Sequence, residues 1–181
     1  MEAVGYDLYC KMLNEAVKHL KGEMEEEDYT TTIDLNIDAY IPDTYISNEY
    51  QKLDIYKRIA AIESEEEMED MVEELIDRFG DIPKKVEMLL TVAQLKALAH
   101  KVYVTAVEQK GDTYTFAMYE RAKVCPEKIP ALLKEFRDDL AFKAEPPMFI
   151  YRKKRINKRD KTESVLEVVK NVLIGIKGLL D

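Results

Sequence analysis

The side chains that could do metal or nucleophilic chemistry are scarce in this sequence. It contains two cysteines, Cys10 and Cys125, and two histidines, His19 and His100. Neither histidine has a second one three or four residues away, and no Cys-x-x-Cys pair occurs, so a two-histidine metal face, a zinc knuckle and a redox motif are not indicated. A cysteine and a histidine brought together in space would escape this test, because catalytic partners need not be neighbours in sequence. No cofactor is predicted.

The glycines do not form a phosphate-binding loop. None of the six lies in G-x-x-x-x-G-K-[ST] or in G-x-G-x-x-G, the patterns whose backbone amides cradle nucleotide phosphates. The chain by itself is therefore predicted not to be an enzyme, with neither ATPase activity nor strand separation.

Carboxylates are concentrated in a stretch that also carries apolar residues at helical spacing. Paired carboxylates can act as acid and base only where burial separates their pKa values. Because these flank an apolar stripe, they indicate the solvated face of an amphipathic helix. They are Glu65, Glu66, Glu67, Glu69, Asp70, Glu73 and Glu74.

The strongest basic signal lies at residues 152–161, which hold seven cations and one acid. The run begins with Arg152, Lys153, Lys154 and Arg155. It could contact phosphates, form a loop before the last helix, or dock an acidic protein surface. Tyr151 is its only aromatic neighbour, which disfavours stacking on single-stranded nucleic acid.

Charge is divided unevenly between the two halves of the chain. Residues 1–80 hold 22 acidic and 7 basic side chains, a net charge of −15, whereas residues 81–181 hold 14 and 20, a net charge of +6. The total of −9 argues against a chain that coats nucleic acid or an anionic membrane. The division suggests two faces that meet different neighbours, although ordinary variation in surface charge would look the same.

The elements that must position these residues begin with a helix predicted over 6–20 and an acidic loop over 23–28. Strict alternation of apolar and polar residues then predicts a half-buried strand over 32–38.

Three helices are predicted next. Ser47 is the expected N-cap of the first, and Ser64 with Glu67 forms a capping box for the second. The second ends at Gly80 and the third begins at Pro83, the usual placement of glycine after a helix and proline at a helix start. The stripes predicted to face the core are Leu53, Tyr56, Ile59 and Ala60 in the first helix, and Met68, Met71, Val72, Leu75, Ile76 and Phe79 in the second.

After these helices the apolar period changes to that of strands. Two strands, a helix, two further strands and a final helix are predicted at 102–107, 114–119, 126–136, 141–144, 148–151 and 161–180. The predicted class is α+β: an N-terminal helical block with one or more strands, followed by a β-β-α-β-β-α unit whose strand order the sequence does not specify.

For domain organisation, residues 1–30 are predicted to form an initial helix and an acidic linker, and residues 31–181 a single compact unit. That unit can be subdivided into a helical part, 31–101, and an α/β part, 102–181. No secretory signal precedes the cysteines, and no apolar run reaches the ~18 residues of a membrane span. A cytoplasmic location, reduced thiols and no membrane partner are therefore predicted.

Three stretches together resemble one known family. They are residues 4–9 (VGYDLY), 53–59 (LDIYKRI) and 74–83 (ELIDRFGDIP). In order and spacing they are similar to the C-terminal region of the bacterial transcription-repair coupling factor family. The resemblance covers the whole chain, densely over 4–100 and loosely afterwards.

The matching motifs have a structural explanation. Tyr56 belongs to the buried stripe of its helix, whereas Lys57 and Arg58 point elsewhere. The run Asp77, Arg78, Phe79, Gly80 and Pro83 closes one helix and opens the next, with Gly80 expected at positive φ. The resemblance therefore transfers family membership and no catalytic residue.

The resemblance implies a parent protein that recognises RNA polymerase stalled at a DNA lesion, translocates on duplex DNA with ATP and recruits nucleotide excision repair through UvrA. In the family, an N-terminal module similar to UvrB carries the UvrA-binding surface, and the C-terminal domain masks it in the resting protein. The motor motifs lie upstream, so Met1 is expected to be an artificial first residue. This chain is expected to be a non-catalytic regulatory domain whose partner is that module of the same parent chain, with UvrA, RNA polymerase and duplex DNA reached through the parent.

The residues that make this contact are not implied by the resemblance. The charge division suggests Lys57, Arg58, Arg152, Lys153, Lys154 and Arg155. One alternative is a DNA-binding accessory domain that holds duplex with residues 152–161; another is an independent enzyme, which the missing motifs disfavour. A salt titration of DNA binding separates the regulatory domain from the DNA-binding one.

Overall fold

A computed structural model describes residues 29–152 and 165–180. Its helices are α1 (Glu49–Ala60), α2 (Glu65–Phe79), α3 (Lys84–Lys101), α4 (Ile129–Glu135) and α5 (Val165–Lys177). Its strands are β1 (Thr32–Asp34), β2 (Val104–Lys110), β3 (Thr113–Met118), β4 (Leu140–Lys143) and β5 (Met148–Arg152). The predicted α+β class is confirmed. The helix predicted over 6–20 and the acidic loop over 23–28 lie outside the described residues.

The chain divides into two compact units. The first comprises Met1–Thr32 and Ile37–Ala97, and the second comprises Ile33–Asn36 and Leu98–Asp181. The strand predicted over 32–38 is shorter than expected, although Ile33 and Leu35 are buried as the alternation predicted. Among the described helices, none has the length and apolar character needed to cross a membrane.

In the first unit, α1 and α2 begin with side-chain caps. Asn48, and not the predicted Ser47, caps α1, because its extended backbone directly precedes the helix and its side-chain oxygen accepts an N–H three residues on at 3.0 Å. Ser64 caps α2 as predicted and accepts the Glu67 N–H at 3.2 Å. The Glu67 carboxylate accepts the Glu63 N–H at 2.7 Å, so the capping box closes one residue earlier than in its usual form.

The buried stripes of these two helices differ from the predicted ones. Helix α1 buries Ile55, Tyr56, Ile59 and Ala60, whereas the predicted Leu53 is 37% exposed. In α2, Met71 and Leu75 are buried, whereas Ile76 is 49% exposed. Leu53 and Ile76 lie at the margins of their stripes, so a helix that meets the core along a narrow side leaves them partly exposed.

Helix α3 starts where Pro83 ends the preceding turn. The Pro83 carbonyl accepts the N–H groups of Val86 and Glu87, each at 3.0 Å. Within the first unit, Val86, Leu89 and other apolar residues on several sides of α3 are buried. A helix that is apolar around most of its circumference is typical of a core position.

The second unit is built on a five-stranded sheet with the order β1-β2-β3-β5-β4. The β2–β3, β3–β5 and β4–β5 pairs are antiparallel, and Phe116 lies opposite Val107 on one side and Phe149 on the other. Side chains on this face are buried, including Tyr114 and Tyr151, whose rings meet edge to face at 5.8 Å between centroids. Alternation along each strand therefore places an aromatic core on one face of the sheet.

Helices α4 and α5 of the second unit approach each other closely. A Cβ atom built at Gly175 of α5 would lie 2.6 Å from Leu132 Cδ1 and 3.3 Å from Phe136 Cε2. The end of α5 is also held by backbone contacts, since the Cys125 N–H donates to the Leu179 carbonyl at 2.9 Å.

Candidate functional site

The motif at the end of α2 is a rigid helix terminus. Gly80 has φ 87° and ψ −160°, a region that glycine alone adopts readily, so the predicted positive φ is present. The Gly80 N–H still donates to the Ile76 carbonyl at 3.0 Å. The Arg78 guanidinium carbon lies 4.9 Å from the centroid of the Phe79 ring, while Asp77 is exposed.

Tyr45 holds this terminus, and sequence analysis missed it. Its hydroxyl oxygen lies 3.1 Å from the Leu75 carbonyl oxygen and 2.9 Å from that of Gly80, so its single proton is shared between two carbonyls at the helix end. Its ring meets Phe79 edge to face at 5.8 Å between centroids. Burial raises the pKa of the hydroxyl, which favours the protonated form that donates. A lone tyrosine in a loop gives no periodic signal, so nothing in the sequence indicated it.

Tyr56 has a similar structural role on α1. It is buried, and its hydroxyl oxygen accepts the Ile41 N–H at 2.8 Å. Burial raises the pKa of this hydroxyl above its usual 10.0. The contact ties the extended chain around Ile41 to α1, which agrees with the structural explanation of this motif residue.

A charge cluster joins α1 to α2. Both carboxylate oxygens of Glu74 accept from Arg58, with Arg58 Nη1 at 2.7 Å from Oε1, and Arg78 Nη1 donates to the same Oε1 at 3.0 Å. Asp54 lies at 4.0 Å from Arg58 on the other side. Two arginines that share one carboxylate form a preorganised network, because each guanidinium is held in a fixed plane. Glu74 therefore differs from the other acidic residues of α2, which are exposed as predicted.

The ion pairs of Glu74 are expected to change how the free energy of unfolding depends on pH in acid. Hydrogen bonds from Arg58, and then from Arg78, hold the pKa of Glu74 at about 2, below its usual 4.5. A depressed folded-state pKa contributes stability that is complete above pH ~4.5 and is lost as the pH falls toward ~2. We expect the Glu74→Gln variant to lose about 1 kcal/mol or less near pH 7, because the pair is partly exposed, and to show a flatter decline in acid. Chemical denaturation of both proteins between pH 7 and pH 3 measures this; parallel curves would contradict it.

The outward side of α1 carries apolar and basic residues together. Tyr50 is 85% exposed and Leu53 37% exposed, and Lys57 follows them at helical spacing. Lys57 makes no ion pair with any described residue, whereas the neighbouring Arg58 is held by Glu74. We call Tyr50, Leu53, Lys57 and Arg58 the α1 surface. It lies wholly in the first unit.

The predicted basic contact residues are divided between the two units. Lys57 and Arg58 are neighbours on α1, but Arg152 belongs to the other unit, at the end of β5. The Arg152 N–H donates to the Asp139 carbonyl at 2.8 Å, and its side chain is exposed. Lys153, Lys154 and Arg155 lie outside the described residues.

The described side chains do not form a metal centre. Within residues 29–152 and 165–180, no group of three or more His, Cys, Asp or Glu side chains is arranged to hold a metal ion. The geometry that is present, an exposed aromatic beside one ion-paired cation and one cation without an ion pair among the described residues, is suited to binding a macromolecular surface.

Comparisons with known proteins give a consistent picture. A family model described as the TRCF domain matches residues 35–129. A transcription-repair-coupling factor of Bacillus subtilis (strain 168) is 36% identical over 184 residues, which cover 100% of this chain and 15% of the relative. That of Staphylococcus haemolyticus is 41% identical over 124 residues, 67% of this chain and 11% of the relative. The chain thus spans only a small fraction of these curated relatives.

A solved structure shares the fold. The crystal structure of a C-terminal domain of transcription-repair coupling factor matches with a TM-score of 0.62 and 27% sequence identity. The match covers 83% of this chain and 92% of that one. The similarity therefore extends over nearly the whole of a domain that forms the C-terminal part of its own parent protein.

Proposed function

Because this chain belongs to the transcription-repair coupling factor family and corresponds to its C-terminal domain, we propose that it is a non-catalytic regulatory domain. It docks on the N-terminal UvrB-like module of the same parent chain and masks the surface that binds UvrA. RNA polymerase and duplex DNA engage the parent protein and act on this domain indirectly, by releasing the contact. The parent works in the cytoplasm.

The observation that supports docking is the composition of the α1 surface. Tyr50 is 85% exposed and Leu53, three residues further along the helix, is 37% exposed, so the two supply adjoining apolar area on one side of α1. Tyrosine and arginine are the residue types that most often dominate the energy of protein interfaces. Tyr50 and Leu53 supply apolar area, while Lys57 supplies a cation that forms no ion pair with a described residue.

The charge cluster around Glu74 limits which cations of the α1 surface can pair with a carboxylate of the partner. Arg58 was a candidate contact residue, but its guanidinium already engages Glu74 through two nitrogens. Giving up that pair would leave Glu74 with Arg78 as its one remaining described cation, so Arg58 acts as a fixed part of the surface. Lys57 is the cation available to a partner carboxylate.

The contact can be weak between separate molecules and still mask the site. Within one chain, a tether converts docking into an intramolecular event with an effective concentration on the order of millimolar. A dissociation constant of ~10 µM in trans would then leave the closed form about a hundredfold favoured.

Titration of this domain with the isolated N-terminal module of the parent tests the proposal. We expect binding, and we expect Tyr50→Ala to weaken it by about thirtyfold or more, in the range of an interface hot spot. Lys57→Glu should weaken it too, more at low salt than at high salt.

The matched control is Lys134→Glu, which reverses an exposed cation on α4 in the other unit and should bind like the wild type. Circular dichroism of each variant establishes that it is folded. No measurable binding by the wild-type domain at high concentration, or equal binding by Tyr50→Ala and the wild type, would count against docking through the α1 surface.

A further inference from the structure

The second unit has a sheet face that resembles a docking surface. Residues paired across antiparallel strands share a face, and the register places Ala117 beside Met148, and Lys143 beside Met148 on the other side. In the adjoining rows, Ile150 lies opposite Ala141, and Arg152 lies across β3 from Lys110. We call this side, opposite the aromatic core, the outer sheet face.

The outer sheet face has an apolar centre and a basic rim. Ala117, Met148 and Ile150 are half-buried in its middle, and Lys110, Lys143 and Arg152 are exposed around them. None of these three cations forms an ion pair with a described residue, and Glu108 is the one carboxylate among the residues paired between β2 and β3, β3 and β5, and β4 and β5. A solvated antiparallel face is normally polar throughout, whereas an apolar centre inside a charged rim is typical of a protein interface.

The complementary surface is present in the same chain, on α2. Glu69, Glu73 and Ile76 follow one another at helical spacing, so they lie along one stripe of the helix. Ile76 is 49% exposed, and neither Glu69 nor Glu73 has an ion pair among the described residues. This stripe is on the opposite flank of α2 from Glu74, which is engaged by Arg58, so it is independent of the α1 surface.

From this match we propose that the acidic stripe of α2 in one copy docks on the outer sheet face of a second copy. The exposed Ile76 meets the apolar centre, and Glu69 and Glu73 meet the basic rim. The two surfaces are different, so the contact is head to tail, and copies add to one another until a ring closes or, if none closes, without limit. Association is therefore expected to grow with concentration.

Analytical ultracentrifugation of the whole chain tests this. At ~0.01 M salt, where charges interact over ~30 Å, the weight-average mass should rise with protein concentration. At ~1 M salt, where that distance falls to ~3 Å, the rise should largely disappear. A chain that stays monomeric at high concentration and low salt would overturn the proposal.

Charge reversal makes the test specific. Glu69→Lys with Glu73→Lys on α2, or Lys143→Glu with Arg152→Glu on the sheet, should each lower the association constant at least tenfold. Mixing the two double variants should restore association, because each then supplies the surface that the other needs. Lys134→Glu serves again as the control and should associate like the wild type.

Each outcome of the mixing experiment is decisive. Restored association in the mixture, with both variants folded by circular dichroism, supports the assignment of the two surfaces. Association that survives either double reversal, or a mixture of folded variants that stays monomeric, would show that these surfaces do not meet.

Discussion

Deleting this domain from its parent protein is expected to raise the affinity of the parent for UvrA about a hundredfold, which corresponds to a coupling of ~2.7 kcal/mol. If the domain masks this site as proposed, the gain requires no new contact with UvrA, since the deletion would remove a closed state that competes with binding. The tether allows a modest contact at the α1 surface to supply this energy. Titration of UvrA against the intact and truncated parent measures the effect directly.

Two further measurements sharpen this prediction. The free domain, added back to the truncated parent, should compete with UvrA only at high concentration, because the tether is gone. Lys57→Glu in the intact parent should reproduce part of the deletion, while Lys134→Glu should not. If the intact and truncated parents bind UvrA equally, the domain does not gate UvrA and its role must be sought elsewhere.

Replacing Gly80 by valine is expected to destabilise the first unit by roughly 2–4 kcal/mol, the largest effect we expect from a single surface substitution. With φ 87° and ψ −160°, Gly80 occupies a region in which any Cβ atom is strained and a branched one more so. No atom lies within 4 Å of a Cβ built there, so the cost is conformational and not a steric clash with a neighbour. Relieving the strain would rotate the Gly80 carbonyl away from the Tyr45 hydroxyl, and that hydrogen bond would be lost as well.

Urea denaturation separates these contributions. Tyr45→Phe keeps the ring against Phe79 and removes the hydroxyl, and should cost about 1 kcal/mol. Asp81→Ala, at the next exposed position, should change stability by less than about 0.5 kcal/mol. An unchanged midpoint for Gly80→Val would mean that the end of α2 relaxes freely and that the terminus is not rigid.

Local patterns in the sequence correctly predicted helix ends and strand burial, where a residue type or its alternation has one well-defined structural effect. Ser64 capped α2, Gly80 took a positive φ, and alternation correctly buried Ile33 and Leu35. Predictions of burial were less reliable for residues at the margins of helical stripes, because residue spacing shows which face of a helix is apolar but not how much of that face contacts the core. Leu53 and Ile76 were assigned to the core but are 37% and 49% exposed, and Ile55 was missed.

The candidate site was harder to predict because it depends on contacts between elements. The sequence showed that Arg58 is basic and Glu74 acidic, but not that two helices would bring them together. Counting charges therefore placed Arg58 among the cations available to a partner, when it is already engaged. The strand order could not be predicted for the same reason, because the placement of β5 between β3 and β4 depends on pairing between residues far apart in the sequence.

Because α4 and α5 approach each other closely, a Gly175→Ala substitution has different effects on the isolated helix and on the folded unit. In an isolated α5 peptide, alanine would be favoured over glycine by up to ~1 kcal/mol, because glycine is a poor helix former. In the folded unit the added methyl would fall 2.6 Å from Leu132 Cδ1, inside a buried contact. The same substitution thus improves the isolated element, whereas its effect on the folded unit is set by how far the buried Leu132 side chain can shift, so helical content measured on fragments does not give the ranking of variants in the intact domain.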